Sequence, residues 1–313
     1  MRPVARNIEI VQNIQPVLST AQLAEAVGVS ESSVKRWIDG GRIAASRTAG
    51  GHRRVGVEEA ARYIRAAGLA VHRPERLGLP ELSAYAGRED TDTVTGEKLF
   101  EHLTNGRTAA AAGLLQARFL AGASVAQLVD GPVSHAMTRV GELWRSSETG
   151  ILIEHRTTET AIQAFTRLRA LLPPVLDGPV AVGCAPSGDP YVLPSLAAAA
   201  VVEDEGFRAV NLGPETPLDT LAAGAEAFGA RLVWISFSSV DGAVKLRRQV
   251  LKLAKRLSSS GVVLMVGGAR VHELALGREK GVCVGHTIAE LRAVAQGLVL
   301  SGHTAGGASE ARS

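Results

Sequence analysis

The spacing of apolar positions changes character several times along the chain. Over "LSTAQLAEAVGVSESSVKRWIDGGRI" (18–43) apolar residues return every three or four places, which predicts two short helices. Ser19 and Gln22 have the S-x-x-Q spacing of a capping box and open the first helix, whose inward residues are Leu23 and Val27. Gly28 supplies the turn. Ser30 caps the second helix, Val34, Trp37 and Ile38 form its inward stripe, and Gly40 and Gly41 stop it. The next stretch, "SRTAGGHRRV" (46–55), reads as a hairpin, with a Gly-Gly turn and a basic return strand.

Two helices joined by a turn of about four residues form a helix-turn-helix, whose second helix enters the DNA major groove. Glu31, Ser32, Lys35 and Arg36 face outward on that second helix, and the basic hairpin beside it has the makings of a phosphate-contacting wing. The expected DNA contacts are Ser32, Ser33, Lys35 and Arg36 on the helix, and Arg47, Thr48, His52, Arg53 and Arg54 on the wing. Charge supports this assignment. Residues 1–76 hold 12 Lys and Arg against 7 Asp and Glu, whereas the remainder of the chain holds 22 against 24, so the basicity belongs to the N-terminal region.

Beyond it, "VHRPERLGLPELSAYAGRED" (71–90) has prolines, glycines and no periodicity, and reads as an interdomain linker. Helical periodicity returns from 91 to about 172, with breaks at "NGR" (105–107), "AGAS" (121–124) and "SSETG" (146–150), which predicts a four-helix bundle. Strand-like runs then alternate with helical ones: 179–185, 208–213, 230–238, 262–268 and 282–285, with helices at 191–205, 217–228, 241–259, 270–280 and 287–301. That alternation predicts a five-stranded parallel sheet with helices on both faces. The fold class expected is therefore multidomain α and α/β: a winged helix-turn-helix over 1–72, a linker over 73–90, a four-helix bundle over 91–173, a five-stranded parallel, Rossmann-like α/β domain over 178–302, and a flexible tail over 303–313.

Composition removes several classes. No apolar run reaches membrane-spanning length and the first residues lack the apolar core of a signal peptide, so a cytoplasmic protein is expected. Cys184 and Cys283 both lie in strand-like runs and are expected to be free core thiols. No dinucleotide fingerprint, phosphate loop, nucleophile elbow or zinc spacing is present, so neither a catalytic residue nor a metal site is assigned. Taken by themselves, Trp144, Glu154 and His155 are either a buried Trp with a solvated pair or a cluster gathered at one end of the bundle.

The segment "VKRWIDGGRI" followed by "RTAGGHRRV" resembles the MerR-type winged helices. The whole order of parts resembles MerR-type transcription regulators with a C-terminal cobalamin-binding domain, the CarH, CarA and LitR group. That resemblance implies a corrinoid between bundle and α/β domain, capped by the motif W-x9-E-H, which Trp144, Glu154 and His155 match in spacing. It implies ligand-binding roles for Asp189 and Tyr191, in the D-x-H-x-x-G motif after the first strand, and for Ser236, Ser238, Gly267 and Gly268, which resemble the positions that hold the corrinoid tail. Here Asp189 is kept, but Tyr191 stands in the cobalt-ligand histidine position and Pro194 in the glycine position. Arg145 stands where light-responsive members have a second histidine.

The function implied is a DNA-binding regulator, expected to repress, controlled by cobalamin or another tetrapyrrole without protein histidine ligation of cobalt. Its expected partners are an inverted repeat in double-stranded DNA and further copies of itself, as dimer or tetramer. The class admits RNA polymerase or another regulator as an additional partner, and no membrane. The Tyr191 and Pro194 departures open a second reading, a sensor that has lost cobalamin and acts constitutively or through protein partners. A corrinoid-carrying enzyme subunit is a more distant reading, because it shares the bundle and the α/β domain.

Overall fold

The computed structural model describes residues 17–85, 91–146, 150–277 and 279–310, with side chains placed for all but 144–146 and 302–310. It divides into two units, one within Ile10–Pro173 and one within Pro174–Ser313.

The first unit opens with β1 (Val17–Ser19), α1 (Thr20–Val27), α2 (Glu31–Asp39), β2 (Ser46–Arg47), β3 (Arg53–Gly56) and α3 (Val57–Ala67). Local chemistry sets these boundaries. The Gln22 amide N–H donates to Ser19 Oγ at 3.1 Å and the Ser19 N–H donates to Gln22 Oε1 at 2.8 Å, the reciprocal capping box. Gly28 ends α1 in the left-handed region, φ 69°. Ser30 accepts from the Ser33 N–H at 3.2 Å to start α2. β3 pairs antiparallel with both β1 and β2, making the hairpin a wing of a three-stranded sheet. Leu23, Val27, Val34, Val55 and Ile64 close the small core; Trp37 and Ile38 are half-buried, and Trp37 lies 4.9 Å from the Tyr63 ring.

Residues 73–85 depart from the expected linker. They form two 3-10 turns, Pro74–Leu77 and Pro80–Ala84, that bury Leu77 and Leu82. Proline fixes φ at each turn start and leucine supplies the burial, so a stretch without periodicity still packs. On one side, the Ala26 carbonyl accepts the His72 and Arg73 N–H groups, and Glu25 pairs with Arg73 at 3.5 Å and Arg76 at 2.8 Å. On the other, the backbone of Glu81 lies so close to Gly113 that any Cβ there would meet it at 2.7 Å. Arg65 of α3 stacks over the Phe119 ring at 3.5 Å, so the winged helix and the bundle behind it form one packed body.

The bundle consists of α4 (Asp92–Thr104), α5 (Thr108–Leu120), a third helical stretch and α8 (Gly150–Arg169). The third stretch is α6 (Val125–Leu128), a π turn at Val129–Val133, and α7 (Ser134–Ser146). Pro132, which cannot donate a helical hydrogen bond, sits inside that π turn. Leu99, Leu103, Leu115, Phe119, Phe165 and Leu168 fill the interior.

The second unit carries β4 (Val180–Cys184), α9 (Leu193–Asp204), β5 (Arg208–Asn211), α10 (Leu218–Ala227), β6 (Ala230–Ser236), α11 (Ala243–Ser258), β7 (Val263–Gly267), β8 (Cys283–Val284) and α12 (Ile288–Glu310). The sheet is parallel with order β5-β4-β6-β7-β8. Its strand order reverses between β4 and β6, which makes their carboxyl ends the natural ligand crevice. Three expectations need correction. The helix expected at 270–280 is only a 3-10 turn, Val271–Leu274, ended by Ala275 at φ 47°. Cys283 is exposed on the short edge strand, while Cys184 is buried. Finally, α12 runs through the expected tail as far as Glu310, with no proline to stop it.

Candidate functional site

The surface expected to face DNA is built from α2 and the wing. Ser32, Lys35 and Arg36 are exposed on α2, and Ser33 is half-buried, with its hydroxyl 2.9 Å from Ser30 Oγ. Arg47, Thr48 and His52 are exposed at the wing, and Arg53 and Arg54 are half-buried. An open groove of about 400 Å³ runs between them, lined among others by Thr20, Glu31, Lys35, His52, Arg53 and Arg54. Of the expected contact residues, Lys35, His52, Arg53 and Arg54 line this groove, but they are not equivalent. Arg53 donates to Asp39 Oδ1 at 2.6 Å and so ties the wing to the end of α2. Its first role is to position; Arg47, His52 and Arg54 carry no such tie in this surface. The wing turn is held by the His52 N–H donating to Thr48 Oγ1 at 3.2 Å.

Glu31 is the acid within this basic groove. The Thr20 hydroxyl donates to it at 2.6 Å and Lys35 lies at 3.0 Å, and these two hydrogen bonds hold its carboxyl below the usual carboxylate range. Sequence spacing showed Glu31 pointing outward but gave no sign of Thr20 as its partner, because Thr20 belongs to α1.

At the bundle, α8 begins with an unusual surface. Ile151 and Leu152 are 63% and 71% exposed, and His155 follows on the same side of the helix, one turn on, with a 76% exposed side chain. Glu154 is less exposed; it lies 3.5 Å from His155 and accepts from the Thr158 hydroxyl at 3.3 Å. The side chains of Trp144 and Arg145 lie outside the described residues; the backbone of both belongs to α7, which packs along α8.

At the sheet edge, Asp189 is fully buried, and its carboxylate bridges the crevice. Oδ1 accepts the Tyr191 N–H at 3.1 Å, and Oδ2 accepts the Ser238 N–H at 2.6 Å and the Ser239 N–H at 3.1 Å. A single side chain thus fastens the loop after β4 to the loop after β6. Tyr191 is 45% exposed beside it, with Val192 also at the surface. Ser236 is buried and Ser238 half-buried. Gly268 has φ 101°, and a Cβ there would lie 2.5 Å from the Phe237 carbonyl oxygen; Gly267 is half-buried at the end of β7. The four tail-position residues therefore sit together along the carboxyl ends of β6 and β7.

Two features of this edge escaped sequence reasoning. Trp234 packs against Gly183, where a Cβ would come within 1.9 Å of the indole. Its Nε1–H donates to Ser195 Oγ at 3.2 Å, and the Ser195 hydroxyl donates to Asn211 Oδ1 at 2.9 Å. This buried chain fills the face between α9 and the sheet. Cys184 is buried nearby, and burial together with Asp189 pushes its thiol up to about 12, so it stays protonated and unreactive.

Residues 17–68 match the family described as a helix-turn-helix domain, and residues 95–169 match the family described as a B12 binding domain. The chain joins a helix-turn-helix domain to a B12 binding domain. Among solved structures, it is similar to the monomethylamine corrinoid protein of Methanosarcina barkeri, at 19% identity over 66% of this chain and 100% of that one, with a TM-score of 0.53. A cobalamin-binding protein from Desulfitobacterium hafniense DCB-2 follows at 18% identity, covering 66% of this chain and 97% of that one, TM-score 0.35. The methanol:cobalamin methyltransferase complex MtaBC of Methanosarcina barkeri follows at 15%, covering 66% and 80%, TM-score 0.34. No curated protein matches the chain. The first of these structures shows a shared fold over 66% of this chain. The order of the helix-turn-helix and B12 binding domains is the one expected of MerR-type regulators with a cobalamin-binding domain.

The donor set at the sheet edge can be weighed against such a ligand. The loop 186–194 offers no imidazole. Asp189 has both oxygens committed to backbone N–H groups, which leaves the exposed Tyr191 hydroxyl as the only other side-chain donor close by on that loop, apart from Ser187. These residues fit a corrinoid that brings its own axial ligand. They do not fit one ligated by a protein nitrogen from this loop. Among the described residues, no helix is long and apolar enough to cross a membrane, and no group of His, Cys, Asp or Glu is arranged to hold a metal ion.

Proposed function

We propose that the protein is a cytoplasmic transcription regulator, a repressor rather than an enzyme, whose hold on an inverted repeat is set by cobalamin. The observation that carries this reading is the pairing, in one chain, of a basic helix-turn-helix surface with a B12 binding domain. The exposed apolar turn Ile151–Leu152, followed by His155, supplies a surface suited to a large, largely apolar ligand. Regulation requires that ligand binding alter the body that holds DNA. The packed turns at 74–84 support this, because they connect the winged helix to the bundle without slack. Regulators of this type bind as dimers or larger assemblies, with symmetry matched to the operator. RNA polymerase or a second regulator fits as an additional partner.

Without an imidazole in the loop after β4, cobalamin would bind with its own benzimidazole or water below cobalt. The test is equilibrium dialysis against adenosyl- and methylcobalamin, followed by paramagnetic resonance of the reduced complex. The reading expects a stoichiometric coloured complex whose nitrogen splitting is unchanged when the protein is labelled with 15N-histidine. A changed splitting would place a protein histidine on cobalt. No complex with either cobalamin, or with another tetrapyrrole, would favour the sensor that has lost its ligand; turnover of a methyl donor would favour the corrinoid enzyme subunit.

A further inference from the structure

The second unit carries its own concentrated positive surface. Helix α11 has six cations, Lys245, Arg247, Arg248, Lys252, Lys255 and Arg256, and no acid. Its apolar residues Leu246, Val250, Leu253, Ala254 and Leu257 are buried on one side. At the helical angle per residue, Lys245, Arg248, Lys252 and Lys255 fall within an arc of roughly 80°, centred opposite that apolar stripe. All four are exposed. The stripe runs about 15 Å along the axis, at 1.5 Å per residue.

The cations on the flanks are neutralised. Arg256 forms a paired contact with Glu226 of α10 at 2.8 Å, and Arg247 pairs with Glu279 and the Leu274 carbonyl. Lys252 lies 3.5 Å from Asp219 in a fully open setting. The side chains of Lys245, Arg248 and Lys255 have no hydrogen-bond or ion-pair partner among the described residues. A row of three unpaired cations on a rigid helix repels itself and is favoured by a polyanion of regular spacing. A membrane surface is a poor match, because the apolar face that would enter it is buried against the sheet.

We propose that this stripe, Lys245–Arg248–Lys255, is a second DNA-contacting surface that holds phosphates without reading bases. The proposal rests on the helix-turn-helix reading above. Duplex DNA is favoured over an acidic protein because the same chain already tethers α11 to a DNA-binding domain. A tether turns even weak phosphate contacts into intramolecular ones at high effective concentration.

The test uses the full chain and fluorescence anisotropy on long duplex DNA of arbitrary sequence across a salt series. Two variants are compared: Lys245→Gln/Arg248→Gln/Lys255→Gln, and Arg47→Gln/Arg54→Gln in the wing. Each lost phosphate contact should make the log–log salt slope shallower by about 0.9, so the α11 variant should lose up to about 2.7. Lys245→Arg/Lys255→Arg should keep the wild-type slope, which separates charge from any loss of folding. A slope and affinity unchanged in the α11 variant, with the wing variant weakened, overturns this proposal alone and leaves the stripe for an acidic protein. Wild-type protein that does not bind DNA at all overturns both readings.

Discussion

Asp189 shows how one buried side chain can organise the loops of a sheet edge. Its buried carboxylate accepts from the N–H groups of Tyr191, Ser238 and Ser239, so it fastens the loop after β4 to the loop after β6. Asp189→Ala strands these donors and should cost about 3 kcal/mol, an order-of-magnitude figure for unsatisfied buried groups. Urea unfolding checks it, and a midpoint equal to wild type would contradict the assignment. His102 gives a pH-dependent counterpart. Burial is the first cause that holds its pKa below the ordinary 6.5, and the Tyr85 hydroxyl lies 2.6 Å from Nε2. The unfolded chain therefore takes up a proton that the folded one resists, so this contribution to stability is intact above about pH 6.5 and is lost as pH falls below it. Thermal unfolding followed from neutral to mildly acid pH should show that loss in wild type and a flatter profile in His102→Gln. Sequence matching located Asp189, but two of its three partners, Ser238 and Ser239, lie about fifty residues away and left no local trace. The Trp234–Ser195–Asn211 chain escaped notice for the same reason.

Elements were legible where chemistry is local. Ser19 with Gln22, Ser30 and Gly28 fixed the ends of α1 and α2 from spacing alone, and the structure forms the same caps. The hairpin and the five strands were likewise readable from alternation and length. The segment 73–85 was not, because its order comes from packing against α1 and α5 rather than from periodicity. Burying a leucine stabilises by several times more than any turn signal in that stretch suggests. Leu82→Ala should therefore destabilise the first unit by about 2–5 kcal/mol, as a core truncation does. Calorimetry of the full chain checks this. A Leu82→Ala transition identical to wild type would show that the turns are a loose connector after all. The helix expected at 270–280 failed for a related reason: apolar residues were present, but Ala275 in a left-handed conformation and Gly277 end the turn early.

At the scale of the whole molecule, the chain pairs a helix-turn-helix domain with a B12 binding domain, and a packed connection joins the winged helix to the bundle. A ligand can change DNA affinity only by as much as its own affinity differs between the two states of the protein. Coupling of this kind typically amounts to about 1–3 kcal/mol, or roughly 5- to 150-fold. The direct measurement is the affinity of the full chain for its best duplex, selected from random sequence, with and without saturating adenosylcobalamin at one fixed salt concentration. The account predicts a shift of at least about fivefold between the two states. Equal affinities, with adenosylcobalamin shown to be bound, would contradict it.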